Sequence, residues 1–201
     1  LTIGIIGAGR VGRAFATKLV QAGYDVIISN KSGPEALEPF VNQLGGKGIK
    51  AGTIEEAARA RIIMVAIPWI RIEEVLSALP YWEGRIVIDA NNAFLTYAPD
   101  FQVADLGGRT SSEIFAEWAP GARVVKAFNT LFAEYIEEDS RVGPGRRVLF
   151  YSGNDKDAKQ ELGKLFEELG FAPIDLGDLA TGGRMQQLGS PLAGLNLLRL
   201  P

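Results

Sequence analysis

The sequence predicts an α/β fold, a doubly wound parallel sheet, from three observations. Apolar runs of strand length alternate with amphipathic helical patterns along most of the 201 residues. The clearest run, Ile62-Ile63-Met64-Val65-Ala66-Ile67, is apolar throughout rather than alternating, as a strand covered on both faces requires. The first apolar run, Ile3-Gly4-Ile5-Ile6, passes straight into a glycine-rich turn, and a helical pattern follows that turn.

The elements are expected in this order. Thr2 to Ile6 is a strand. A helix from about Arg10 to Ala22 carries Val11, Phe15, Leu19 and Val20 on one face, and Gly23 stands where a C-terminal cap belongs. Asp25 to Ser29 is a short buried strand, and Pro34 suits the first turn of a helix with Leu37, Phe40, Val41 and Leu44. A short strand follows near Ile49 to Ala51. Thr53-Ile54-Glu55-Glu56 has capping-box form and opens a short helix. Pro68 stops the long apolar strand, and Ile72, Val75, Leu76 and Leu79 mark the next helix. Arg85 to Asp89 is a strand, whereas 91–108 shows no periodicity and is expected to be loop. Thr110-Ser111-Ser112-Glu113 is a second capping box before Ile114, Phe115 and Trp118. Val124 to Phe128 and Val148 to Ser152 are strands, with a short helix around Phe132, Tyr135 and Ile136 between them. Asp155 caps a helix bearing Ala158, Leu162, Leu165, Phe166 and Leu169, and Phe171 to Leu176 is the last strand. Residues after Gly177 are Gly-rich and receive little assignment. The expected organisation is one domain: a core over 1–130, a sheet extension over 131–176 and a C-terminal segment over 177–201.

The turn reads Gly7-Ala8-Gly9-Arg10-Val11-Gly12, a G-x-G-x-x-G string after a strand and opening a helix. In that setting Gly7 makes the tight turn. Gly9 lets the backbone approach a pyrophosphate, and Gly12 lets the helix pack close to the strand. The helix N-terminus adds free N–H groups and partial positive charge. The expected architecture is therefore a Rossmann-type NAD(P)-binding fold, with its crevice beyond the carboxyl ends of the strands.

Composition narrows the chemistry. A net charge of -3 argues against a dedicated nucleic-acid partner. With no cysteine and no histidine, the chain lacks a thiolate nucleophile, a disulfide framework, and the commonest general base and metal ligand. No metal site is expected. No apolar run reaches membrane-spanning length. The first strand starts at residue 2 or 3, so no signal peptide is expected. The missing initiator Met suggests processing or trimming, and the expected location is cytoplasmic.

The end of the second strand bears on the choice of dinucleotide. An NAD site usually places an acidic residue there, on the ribose hydroxyls. Here the segment is Ser29-Asn30-Lys31-Ser32-Gly33, with no acid, one cation and three hydrogen-bonding side chains. Together they make a phosphate pocket suited to NADP(H).

Several blocks carry a resemblance to a known family. Ile5 to Gly9 with Val11-Gly12, Ser29-Asn30 with Gly33-Pro34, and Ala66-Ile67-Pro68-Trp69 come first. Thr110 to Glu113, Val124 to Thr130 and Ser152 to Asp155 follow. In that order and spacing the chain resembles the NADPH-dependent coenzyme F420 reductases and their bacterial relatives, over nearly its whole length. The related oxidoreductase domain of membrane ferric reductases shares the plan. The resemblance implies direct hydride transfer between NADP(H) and a small acceptor, F420 or a flavin. Such a reaction depends on stacking two rings at the correct distance more than on a side-chain acid or base, so no catalytic side chain is assigned. The chain departs from that family at Asp89 to Phe94, where the F420 reductases carry an apolar, proline-containing segment. It departs again at Asn129, where they carry a histidine.

The candidate cofactor-binding set is Gly7, Ala8, Gly9, Arg10, Val11 and Gly12; Ser29, Asn30, Lys31 and Ser32; and the strand ends Ala66, Ile67, Pro68, Asn91, Asn92, Ala127 and Asn129. Asp89 and Lys126 are expected to be a buried structural pair, the alternative being a catalytic acid role for Lys126. Trp69 either borders the cofactor or packs. Arg141, Arg146 and Arg147 flank a Gly-Pro-Gly turn and are expected to be solvated. The alternatives to F420-type hydride transfer are a ferric or flavin reductase and a non-catalytic NADP(H)-sensing module. A homodimer is one expected assembly.

Overall fold

The computed structural model describes residues 1–201. In chain order the elements are β1 (Thr2–Ile6), α1 (Arg10–Gln21), β2 (Asp25–Ser29), a 3-10 turn (Pro34–Leu37), α2 (Glu38–Gln43), β3 (Ile49–Ala51), α3 (Ile54–Ala58), β4 (Ile62–Val65), α4 (Trp69–Ser77) and β5 (Ile86–Asp89). Then come β6 (Phe94–Thr96), β7 (Gln102–Val103), α5 (Ser111–Trp118), β8 (Arg123–Ala127), α6 (Ala133–Glu137), β9 (Arg141–Val142), β10 (Gly145–Gly153), α7 (Lys156–Glu168), β11 (Ala172–Asp175), α8 (Thr181–Gln186) and β12 (Leu198–Arg199). No helix is long and apolar enough to cross a membrane.

Local chemistry sets the helix ends. Thr53 and Thr110 each accept from the backbone N–H three residues on, while Glu56 and Glu113 reach back, so both capping boxes form. Asp155 accepts from the Ala158 N–H at 2.7 Å and starts α7. Gly23, at φ 86°, ends α1: its N–H donates to the Val20 carbonyl, and the Tyr24 N–H donates to that of Leu19.

The main sheet has the order β3-β2-β1-β4-β5-β8-β10-β11. Neighbours from β3 through β8 pair in parallel, which is the doubly wound core expected from the sequence. β10 breaks the pattern by running antiparallel to β8, with Tyr151 opposite Ala127 and Gly153 opposite Val125. A parallel return would carry the chain back to the starting edge of the sheet. Only five-residue α6, about 7.5 Å of helix, intervenes before the β9–β10 hairpin, so the chain re-enters from the edge at which β8 ends.

Side-chain alternation divides the core between the two sheet faces. Ile3, Ile5, Ile62, Met64, Ile86, Ile88 and Val125 join α1, α2 and α7 in one cluster. Ile63, Val65, Val87 and Val124 join α3, α4 and α5 in the other. Each fully buried aliphatic side chain contributes about 1.5–3 kcal/mol of burial. Both faces are covered, hence the continuous apolar runs.

Three expectations are corrected. The 91–108 stretch is not all loop: β6 and β7 form a small antiparallel hairpin, with Phe94 stacked near Tyr97 and Phe101 at 5.4 and 5.7 Å. The stretch after Gly177 forms α8 and β12, the latter pairing with β10 through Arg199 and Leu198. Arg147 is not solvated. It is 3% exposed, donates to Glu138 at 2.8 Å and to Asn196, and lies 4.8 Å over the Tyr135 ring. Arg146 donates to the Phe171 carbonyl at 2.6 Å.

Candidate functional site

The three glycines between β1 and α1 have different neighbours. Gly7 has φ 110°, and a Cβ there would overlap the Ala66 carbonyl. A Cβ on Gly12 would overlap the Gly7 carbonyl, so α1 packs on the turn at glycine distance. A Cβ on Gly9 would meet nothing within 4 Å. Gly9 is the N-cap of α1, and no side chain caps that helix. The free N–H groups of its first turn therefore lie beside open space at Gly9.

After β2 the chain bends through Asn30, whose Oδ1 accepts from the Ser32 N–H at 2.9 Å. Lys31 is exposed and makes no ion pair. Ser29 is fully buried, and its hydroxyl donates to the Ile5 carbonyl at 2.9 Å, tying β2 to β1.

These segments meet around a cavity of about 340 Å³. Ile6 to Gly9 line it from the first turn, Asn30 to Ser32 from the second, and Ala66, Ile67 and Pro68 from the end of β4. It lies between the ends of β1 and β4, where the strand order reverses and such folds take their ligands. The lining contains two cations, Lys31 and Arg71, and no carboxylate.

Ile54, Arg71 and Val75 complete the lining and are absent from the expected set. Their signal was present in the sequence. Arg71 and Val75 stand four apart on the helix that Pro68 opens, hence on one face, and Ile54 follows the Thr53 cap. Arg71 is held by Glu74 through Nε at 2.9 Å and Nη2 at 3.1 Å. Arg10, Val11 and Gly12 do not line the cavity. Arg10 pairs with Glu134 at 2.6 Å, which raises the guanidinium pKa further, and Val11 packs on the core.

The remaining strand ends form a hydrogen-bonded shelf. Asn91 Nδ2 donates to the Val65 carbonyl and to Asp89 Oδ1, each at 2.9 Å, and Asn91 Oδ1 accepts from the Ile67 N–H at 3.0 Å. Asn129 Nδ2 donates to Asn92 Oδ1 at 3.1 Å and to the Gln186 carbonyl at 2.6 Å, while its Oδ1 accepts from Gln186 Nε2 at 2.9 Å. Asn92 Nδ2 donates to the Asn129 carbonyl at 3.0 Å. The side-chain N–H groups of Asn91 and Asn129 are thus spent within the protein. Ala127 is fully buried. Trp69 is 7% exposed, with its ring 5.0 Å from that of Trp118, so it packs α4 on α5. Gln186, which closes this network, lies in the Gly-rich tail, which carries no periodic pattern.

Residues 2–93 match the family described as NADP oxidoreductase coenzyme F420-dependent. The crystal structure of hypothetical protein SMa0349 from Sinorhizobium meliloti superposes with a TM-score of 0.92 at 44% identity, covering 98% of this chain and 95% of that one. A crystal structure from Arthrobacter sp. FB24, proposed to be an F420-dependent NADP reductase, gives a TM-score of 0.73 at 27% identity, over 90% of this chain and 86% of that one. Among curated proteins, rat metalloreductase STEAP3 is 26% identical over 99% of this chain, and human metalloreductase STEAP2 is 27% identical over 100% of it. The chain spans 38% of the length of each of these two metalloreductases.

Proposed function

The chain belongs, through residues 2–93, to the NADP oxidoreductase coenzyme F420-dependent family, and on that premise we propose that it is an oxidoreductase passing hydride between NADP(H) and a flavin-like or deazaflavin acceptor. Over its full length it shares a family with the Sinorhizobium meliloti protein. The observation that carries the reading is the cavity between β1 and β4, which joins the open face of Gly9 to Lys31 and Ser32 without a carboxylate.

The residues present fit the cofactor. The space that a Cβ on Gly9 would take admits a pyrophosphate, within reach of the first N–H groups of α1. Lys31, with Asn30 and Ser32 beside it, meets a ribose 2′-phosphate. Ile54 and Val75 give the apolar wall a base needs, and Ala66, Ile67 and Pro68 form the wall leading to the reacting ring. Asn91 braces that wall through the Ile67 N–H and the Val65 carbonyl, and Asn92 and Asn129 bond to each other at the ends of β5 and β8. NADPH, when bound, supplies the hydride. The protein orients it and needs no titratable group at the reacting atoms.

The test is calorimetric titration with NADPH and NADH, followed by NADPH oxidation assays with F420, FMN, FAD and ferric chelates. Tight NADPH binding and oxidation by one of the ring acceptors support the reading, whereas absence of NADPH binding overturns it. The similarity to metalloreductases favours a second reading, in which a flavin relays electrons to ferric iron. Ferric reduction that requires added flavin would select it. Binding without oxidation by any acceptor would select a sensing module.

A further inference from the structure

The wall between the end of β4 and the start of α4 has few anchors. Pro68 has no N–H, so only Ala66 and Ile67 can donate from the three wall residues. The Ala66 N–H donates to the Ile6 carbonyl at 2.8 Å, the last rung between β4 and β1. The Ile67 N–H has no backbone partner and donates to Asn91 Oδ1 at 3.0 Å.

The Asn91 amide is held in one orientation. Its Nδ2 faces two acceptors, the Val65 carbonyl and Asp89 Oδ1, so its oxygen faces Ile67. Its backbone is held as well: the Asn91 N–H donates to Asp89 Oδ1 at 3.0 Å, and Lys126 Nζ donates to the Asn91 carbonyl at 3.1 Å. Asn91 is 6% exposed and is not part of the cavity lining, whereas Ala66, Ile67 and Pro68 are.

We infer that Asn91 is a positioning residue for the dinucleotide cavity: it sets the Ala66–Pro68 wall through the Ile67 N–H and the Val65 carbonyl, without touching the ligand. This rests on the reading of the cavity as an NADP(H) site. Its side chain bridges the ends of β4 and β5 one step past their last backbone bond, from the Ala90 N–H to the Val65 carbonyl at 3.2 Å, and reaches the Ile67 N–H that the ladder leaves without a partner. An acidic replacement would turn an oxygen on the Val65 carbonyl and Asp89, so the amide is required and mere polarity is not enough.

The test uses the full chain and three measurements. In the wild type, the Ile67 amide is protected from hydrogen exchange to a degree near that of Ala66. In Asn91→Ala, Ile67 exchange accelerates about tenfold while Met64 and Val65 stay protected. The same variant binds NADPH and NADH both about three- to tenfold more weakly, as loss of buried hydrogen bonds to a binding wall entails. Ser111→Ala removes a different bond of the same network, the 3.1 Å contact from Lys126 Nζ, and leaves both affinities unchanged. Asn91→Ser, too short to reach Ile67, replaces the alanine variant if that one does not fold. Wild-type affinity in a folded Asn91 variant, an unprotected Ile67 amide in the wild type, or equal weakening by Ser111→Ala overturns the inference. Failure of the wild type to bind NADPH overturns the site reading itself.

Discussion

Lys126 Nζ lies 3.1 Å from Asp89 Oδ2, with both side chains fully buried, and the two residues face each other in register across β8 and β5. Their remaining bonding capacity is filled. Ser112 donates to Asp89 Oδ2, and Lys126 Nζ also donates to Ser111 Oγ and the Asn91 carbonyl. A buried pair with its hydrogen bonds met is tolerated, but one charge left alone is costly. Lys126→Ala should therefore lower the unfolding free energy by about 3–5 kcal/mol in urea titration, and pairing Lys126→Met with Asp89→Asn should recover part of that loss. A folded Lys126→Ala protein that binds NADPH normally but transfers no hydride would assign the lysine to the chemistry instead.

The fingerprint glycines separate binding from folding. Gly9→Val should keep the melting temperature near that of the wild type, because its side chain enters open space, yet abolish NADPH binding. Gly12→Ala should do the reverse in kind. Its methyl would overlap the Gly7 carbonyl, so α1 must shift, at about 1–3 kcal/mol of stability. Thermal melts and calorimetry on both variants check the contrast.

What was legible in the sequence followed from local causes. β1 and β2 end where expected because Gly7 and Asn30 interrupt short apolar runs. The caps at Thr53, Thr110 and Asp155 need only their own next three residues. The misses depend on distant partners. Arg147 is buried by Tyr135, Glu138 and Asn196, which no local pattern around a Gly-Pro-Gly turn reveals. The β6–β7 hairpin has exposed apolar residues, Leu95, Tyr97, Phe101 and Val103, and so lacks the alternation that marks a half-buried strand. The site divides in the same way. Its two cavity-lining turns are contiguous strings, whereas the engagement of Asn129 arrives from Gln186, 57 residues later.

Lys31 should govern the choice between the two dinucleotides. It lines the cavity and has no ion-pair partner to give up on binding. Lys31→Ala should weaken NADPH binding by about 1.5–3 kcal/mol, the value of a hydrogen bond to a charged group, and leave NADH binding nearly unchanged. Equal weakening of both, by calorimetry, would place the 2′-phosphate elsewhere.

Asp178 gives the start of α8 a pH dependence. The backbone N–H of Thr181 donates to its carboxylate at 2.6 Å, and that bond, with the Thr181 side chain, lowers the carboxyl pKa from its usual 3.8. A depressed folded-state pKa stabilises the fold above the unfolded value, and the contribution fades as pH falls through the folded one. Asp178→Asn keeps an acceptor but loses the charge. The difference in urea midpoint between it and the wild type should be full at pH 6 and shrink below about pH 4. A difference that holds constant down to pH 2.5 would exclude the carboxylate charge as its source.

Asn129 and Gln186 should act as one unit. Nδ2 of Asn129 donates to the Gln186 carbonyl, Gln186 Nε2 donates back to Asn129 Oδ1, and the same Nε2 reaches the Lys126 carbonyl at 3.3 Å. Gln186 is fully buried, so removing either partner strands polar groups of the other away from water. Asn129→Ala and Gln186→Ala should each destabilise the protein, and the double variant should cost less than their sum by about 0.5–3 kcal/mol. The pair joins α8 to the end of β8 and, through Asn92, to the end of β5. Neither residue lines the cavity with Gly9 and Lys31, and on the proposed reading the pair holds the rim on the side of the reacting ring. Asn129→Ala should therefore slow NADPH oxidation by an accepted electron carrier more than it weakens NADPH binding. Stopped-flow oxidation and calorimetry on the same preparation separate the two effects. Strict additivity in urea would break the unit, and an affinity loss matching the rate loss would move Asn129 into the binding of the cofactor.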